Sequence, residues 1–151
     1  MEFKKVDIKT IMVPTDLSEN AEYALLFAKS VAEKLGARLL VYHCLTDIDK
    51  SIGYVPGLPG EQIEKSMRNE AMKELTTLKN RYQLGSDVEI VVEKGEAYRK
   101  IVDFAQSHHV DLIIISARGK TKLEKFIFGS VTEKVVRISD IPLLVVKVPK
   151  E

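Results

Sequence analysis

Short runs of aliphatic and β-branched residues alternate along this chain with longer stretches whose apolar positions recur every three or four residues. The first run, Ile8 to Pro14, reads as a buried strand that exits through Pro14-Thr15-Asp16. Ser18 is placed to cap a helix whose apolar side is Ala21, Ala24, Leu25, Ala28, Val31, Ala32 and Leu35, and Gly36 stops it. Arg38 to Leu45 is a near-continuous apolar run of the kind found in parallel sheets. Ile63, Met67, Ala71, Leu75 and Leu78 mark one face of a long helix over Glu61 to Tyr82. Asp87 to Glu93 alternates enough to predict a strand at a sheet edge, and a helix follows over Ala97 to His108. Val110 to Ser116 is the fourth strand, Ser130 to Ser139 a helix broken by Pro142, and Leu143 to Val148 the fifth strand. Strands that alternate with helices need crossover connections, so the pattern predicts an α/β fold, a parallel sheet covered on both faces. Thr46 to Gly60, with three glycines and two prolines, is longer than ordinary connections and is expected to act as a flap.

Composition narrows the function without choosing it. The chain has 151 residues, which predicts one domain over 1–151 with enough length to bury a core. Its 23 basic and 22 acidic residues leave a net charge of +1, giving no overall attraction to nucleic acid or to an anionic membrane. No apolar run approaches the roughly 18 residues that span a bilayer. The single cysteine, Cys44, excludes an internal disulfide and, with an N-terminus lacking an apolar signal core, predicts a cytoplasmic location. Cys44 is expected to be a small buried apolar residue.

The chemistry concentrates between Ile113 and Thr132. A strand there feeds a loop carrying Arg118, Lys120, Lys122 and Lys125 and bracketed by Gly119 and Gly129, and the loop opens into a helix at Ser130. Helix N-termini offer unpaired N–H groups and a positive dipole end, the physical means of holding an anion. The glycines are expected where backbone approaches a ligand or takes positive φ. The Ser130 and Thr132 hydroxyls are placed to cap the helix or to donate to phosphate oxygens. On spacing alone, an ordinary connection with a capped helix accounts for the same residues equally well. A P-loop is excluded, because Ile114 stands where that motif needs its first glycine. Asp16, at a strand exit, is expected either to cap the next helix or to take a ribose hydroxyl or a water-held Mg²⁺. His108 and His109 are adjacent and therefore a poor metal pair; a cation at a helix C-terminus is the expected role. No Ser-His-Asp set and no Cys/His metal cluster is evident in the sequence.

Gly119, nine intervening residues, then Gly129-Ser130 resembles the second half of the nucleotide signature of universal stress proteins, and Val131-Thr132-Glu133-Lys134-Val135 is similar to the family as well. Ser116 stands at the first glycine of that signature; its side chain either intrudes on the ligand or donates a hydrogen bond to it. The resemblance covers the whole chain. It implies a three-layer, Rossmann-like sandwich, akin to the adenine nucleotide α-hydrolases, with a five-stranded parallel sheet in the order 3-2-1-4-5. Ligands of such sheets sit beyond the carboxyl ends of the strands at the point where the winding reverses. The resemblance implies ATP, ADP or AMP there, the phosphates held by N–H groups near Gly119 and from Gly129 through Ser130 to Val131 with the Ser130 and Thr132 hydroxyls, and Arg118 and Lys120 placed to neutralise their charge. It implies adenine beside Pro14, Thr15 and the backbone at His43-Cys44, and Asp16 on the nucleotide and, with Mg²⁺, on the metal. It further implies a regulatory stress-response switch that hydrolyses ATP slowly at most and acts on an unidentified protein partner. The homodimer would form by pairing the Leu143–Val148 edge. A relative that acts through dimerisation and protein contacts alone is the second expectation.

Overall fold

A computed structural model of the protein describes residues 1–46, 57, 59–119 and 128–149. The expected 46–60 flap falls almost wholly outside these residues, as do Lys120, Lys122 and Lys125. The elements run β1 (Thr10–Pro14), α1 (Glu19–Leu35), β2 (Arg38–Leu45), α2 (Gly60–Arg81), β3 (Glu89–Lys94), α3 (Ala97–Ser107), β4 (Leu112–Ser116), α4 (Ser130–Ile138) and β5 (Leu143–Val146). The strands form one parallel sheet in the order β3-β2-β1-β4-β5, as the sequence resemblance implies.

Alternation along each strand divides the core into two layers. Ile11, Val13, Leu39, Val41 and Ile114 face one side and pack on Ala24, Leu25 and Ala28 of α1 and Leu75 of α2. Met12, Leu40, Tyr42, Ile113 and Ile115 face the other and pack on Ile101, Val102 and Ala105 of α3 and Val135 of α4. This is the pattern of strands buried on both faces, and it explains why their sequences read as unbroken apolar runs rather than alternating ones.

Local chemistry sets the boundaries. The Ser18 hydroxyl accepts from the Ala21 amide at 3.2 Å and starts α1. Gly36 ends it at φ 63°, with the Ala37 amide reaching back to the Ala32 carbonyl at 2.9 Å. Leu35, counted in the apolar stripe, is instead half exposed, because it lies on the final turn where the helix leaves the sheet. β1 begins at Thr10 rather than Ile8: the Asp111 carboxylate accepts from the Lys9 and Thr10 amides, each at 2.9 Å, taking the place of a neighbouring strand. β5 stops at Val146, two residues short of the expected end. The two outer strands differ. Side chains of α2 cover main-chain carbonyls at β3 and just before it: Arg68 donates to Val92 within the strand at 2.6 Å and Lys79 to Val88 ahead of it at 3.0 Å. No α2-type cover is recorded for β5 among the described residues.

Candidate functional site

The carboxyl ends of β1, β2 and β4 open into a cleft with a cavity of about 210 Å³. Its wall combines two regions that lie a hundred residues apart in the chain. Pro14, Thr15 and Asp16 come from the exit of β1, and Ser116, Arg118 and Gly119 from the exit of β4. Gly129, Ser130, Val131 and Thr132 bring in the start of α4, and Cys44 the end of β2. These eleven residues expected at the site therefore line one cleft, whereas His43 is not among its lining residues. Six further lining residues carried no sequence signal: Ala21, Tyr42, Thr46, Ala97, Ile101 and Ile115. Tyr42, Ile101 and Ile115 belong to the core layer between the sheet and α3, and Ala21 is buried on α1, whereas Ala97 is half-buried and Thr46 exposed.

The β1 exit is held in a strained turn. Leu17 takes φ 67°, a left-handed conformation that costs a side-chain-bearing residue on the order of 1–2 kcal/mol. Its neighbours hold it there: the Leu17 amide donates to Thr15 Oγ1 at 3.1 Å and the Ser18 amide to Asp16 Oδ1 at 3.0 Å. His43 Nδ1 lies 2.7 Å from the Thr15 carbonyl, which can only accept, so that nitrogen carries the proton. Asp16 thus braces the turn before α1, whose N-cap is Ser18, and also lines the cleft.

Across the cleft, α4 starts without a side-chain cap. Gly129 is the N-cap residue and has no side chain to offer, and the Ser130, Val131 and Thr132 amides belong to the first turn, where helical partners are lacking. Among the described residues, the N-cap thus leaves that helix end without a side-chain hydrogen bond. Thr132 does not take the role expected of its hydroxyl. It is buried, and Oγ1 donates to the Ser116 carbonyl at 2.7 Å, so its proton ties α4 to β4 and is not available to a phosphate. The glycines also differ from expectation. Gly129 has φ −66°, and Gly119 is not among the positive-φ glycines, so neither is required for a left-handed backbone. Gly119 is required by space: an added Cβ would lie 2.5 Å from Asp16 Oδ2. At Gly129 an added Cβ would meet the Gly119 nitrogen at 3.4 Å and the Arg118 Cα at 3.6 Å. The two glycines thus let three chain segments pass at close range.

Ser116 is buried, and its hydroxyl turns along its own chain, donating to the Arg118 carbonyl at 2.6 Å. The cavity exists with this side chain in its wall. Cys44 is half-buried rather than buried, with Sγ donating to the Gly95 carbonyl at 3.4 Å. Tyr42 lies fully buried behind it, and its hydroxyl donates to Glu93 at 2.7 Å. Burial first, then that hydrogen bond, pushes the Tyr42 phenol far above its ordinary range, so it stays neutral. Away from the cleft, His108 ends α3 with Nδ1 3.0 Å from the Phe104 carbonyl and its ring stacked on Phe104. Among the described residues, no group of three or more His, Cys, Asp or Glu is arranged to hold a metal ion.

The sequence profile of the universal stress protein family matches residues 7–147. The chain belongs to that family. Universal stress protein MJ0577 of Methanocaldococcus jannaschii is 33% identical to it, over 92% of this chain and 94% of the relative. The solved structure of MJ0577 superposes with a TM-score of 0.83, covering 97% of this chain and 100% of that one. Two more distant family structures share the fold and hold nucleotides. One universal stress protein in complex with cAMP has a TM-score of 0.62 at 21% identity, covering 93% of this chain and 98% of that one. One from Archaeoglobus fulgidus in complex with dAMP has a TM-score of 0.58 at 21% identity, covering 93% of this chain and 98% of that one. As a universal stress protein, the chain has a Rossmann-like sandwich whose cleft lies at the reversal of winding between β1 and β4. No helix among the described residues is long and apolar enough to cross a membrane.

Proposed function

We propose that this universal stress protein binds an adenine nucleotide, ATP in the first instance, in the cleft between β1 and β4. In this reading, occupancy of the cleft acts as a regulatory signal that a protein partner reads. One observation carries the reading: α4 begins at the cleft behind Gly129, an N-cap residue with no side chain to offer the first-turn amides, and the Asp16 carboxylate lines the same cleft. Backbone N–H groups at a helix start suit phosphate, and a carboxylate at the facing strand exit suits a ribose hydroxyl. Apolar Pro14, Ile101 and Ile115 and the body of Tyr42 form a wall suited to the flat face of a base. The complexes of family members with cAMP and dAMP support an adenine nucleotide as the ligand class.

The residues also fit a divalent cation brought in with the phosphates. Asp16 is the one cleft-lining carboxylate among the described residues, so Mg²⁺ would be held by Asp16, phosphate oxygens and water. The cation would neutralise phosphate charge; Asp16 orients it and Arg118 adds a further positive charge at the wall.

The same reading places the protein in the cytoplasm as a homodimer joined along β5. Support for the dimer comes from the contrast between the two sheet edges. Cationic side chains of α2 occupy one carbonyl of β3 and the Val88 carbonyl just before it, a device that discourages edge pairing, whereas β5 is short, apolar and followed by exposed Val148. Pairing across a two-fold axis satisfies such an edge.

Native mass spectrometry of freshly purified protein tests both parts. We expect a dimer mass carrying adenine nucleotide, and ATP titrated into stripped protein should give saturable heat. A monomer would remove the edge-pairing proposal, and an absence of heat at millimolar ATP and Mg²⁺ would remove the nucleotide.

A further inference from the structure

We propose that Ser116 is a positioning residue for the anion end of the cleft, acting through Arg118 rather than on the ligand. The inference rests on the nucleotide reading above. Ser116 is the last residue of β4 and 6% exposed. Its hydroxyl donates to the Arg118 carbonyl at 2.6 Å and accepts from the Arg118 amide at 3.3 Å. One oxygen therefore engages both main-chain groups of the residue two positions on, which restricts the backbone of Arg118 on either side of its Cα. The direction in which the Arg118 side chain leaves the backbone is fixed as a result, at a point where that residue lines the cleft. The Arg118 amide is already engaged and is not among the donors offered to a ligand.

Three neighbouring bonds keep the frame of this turn independent of the hydroxyl. The Ala117 amide donates to the Val146 carbonyl at 2.8 Å, the Gly129 amide to the Ala117 carbonyl at 2.7 Å, and Thr132 Oγ1 to the Ser116 carbonyl at 2.7 Å. None of them needs the Ser116 side chain. Removing the hydroxyl thus releases Arg118 while leaving the strand end and the start of α4 tied. The released residue must be ordered again when an anion binds, and that ordering weakens the binding of charged ligands. An uncharged nucleoside, which does not need Arg118, is indifferent to it.

Calorimetry with ATP, AMP and adenosine on the full-length protein separates these effects. Ser116→Ala should lower affinity for ATP and AMP about tenfold, the order expected when one backbone must be ordered on binding, and leave adenosine within about twofold of wild type. Ser116→Cys keeps a γ atom, somewhat larger than oxygen, but only as a weak donor, and serves as a second variant with the same expected split. In an Arg118→Ala background, Ser116→Ala should change ATP affinity by less than about twofold, because the residue it positions is gone. The proposal is overturned if Ser116→Ala binds ATP as tightly as wild type or tighter, if adenosine weakens in parallel, or if the loss persists without Arg118. Wild type that binds none of the three ligands would instead overturn the nucleotide reading, and this proposal with it.

Discussion

Replacing Val131 with glutamate should lower ATP affinity about a hundredfold or more without lowering the melting temperature. Val131 lies in the first turn of α4, lines the cleft and is 37% exposed, so a glutamate there stays hydrated. A carboxylate in the first turn of a helix is stabilising, by about 0.3–1 kcal/mol. The same carboxylate would stand beside the proposed phosphates. At about 5 Å and an effective dielectric near 20, each pair of like charges costs about 3 kcal/mol before screening. A triphosphate brings several charges, so even after solvent screening the loss should exceed two decades. Stability and binding are thus expected to move in opposite directions, which a general disruption of the fold cannot produce. Val131→Gln, of the same size without charge, should bind ATP within a few-fold of wild type. The deficit of Val131→Glu should shrink as salt is raised. Calorimetry at two ionic strengths and a thermal melt read all of this. A Val131→Glu protein that keeps ATP within about threefold of wild type would mean that the anion lies elsewhere.

Gly119→Ala should destabilise the protein by about 1–3 kcal/mol, the usual cost of forcing a carbon into filled space. For a chain of this length that corresponds to a fall in melting temperature of about 3–10 °C. The obstacle is specific: the new methyl carbon would lie 2.5 Å from Asp16 Oδ2, and Asp16 is held by the Ser18 amide at its other oxygen. Relief requires either that carboxylate to leave its turn or the β4 loop to withdraw from β1. Both deform the cleft, so ATP affinity should fall with stability. The cause is testable by removing the obstacle. In an Asp16→Ala background, Gly119→Ala should cost little, and the double-mutant cycle should return a coupling of about 0.5–3 kcal/mol. Strict additivity of the two melts would show that glycine is needed at 119 for some other reason.

Much of this site was visible before folding was considered, and the parts that were not share a physical cause. The glycine pair, the helix start at Ser130 and the strand exit at Asp16 are local features, set by which residues tolerate turns, caps and close approach. Their expected uses were less well predicted, because use depends on neighbours. Thr132 looked like a phosphate donor, yet its proton goes to the Ser116 carbonyl across the β4–α4 gap. Gly119 looked like a positive-φ residue, yet the constraint is a side chain from a turn about a hundred residues earlier. Tyr42, Ile101 and Ile115 read as core, and they belong to the core layer under α3 while also lining the cavity. Leu17 in a left-handed conformation had no signal at all, since leucine has no preference for it and is held there by the Thr15 and Asp16 side chains.

By itself, the order of residues determined the alternation of five strands and four helices, the two apolar faces of each inner strand, and the two segments from which an anion site is built. These depend on side-chain periodicity and backbone preference within a dozen residues, which no distant contact needs to supply. The tertiary structure alone decided which hydroxyls are already committed, which carbonyls α2 covers at β3 and just before it, and how near Asp16 comes to Gly119. Those are distances between segments that the chain brings together only when the sheet closes around β1, and a periodicity carries no record of them.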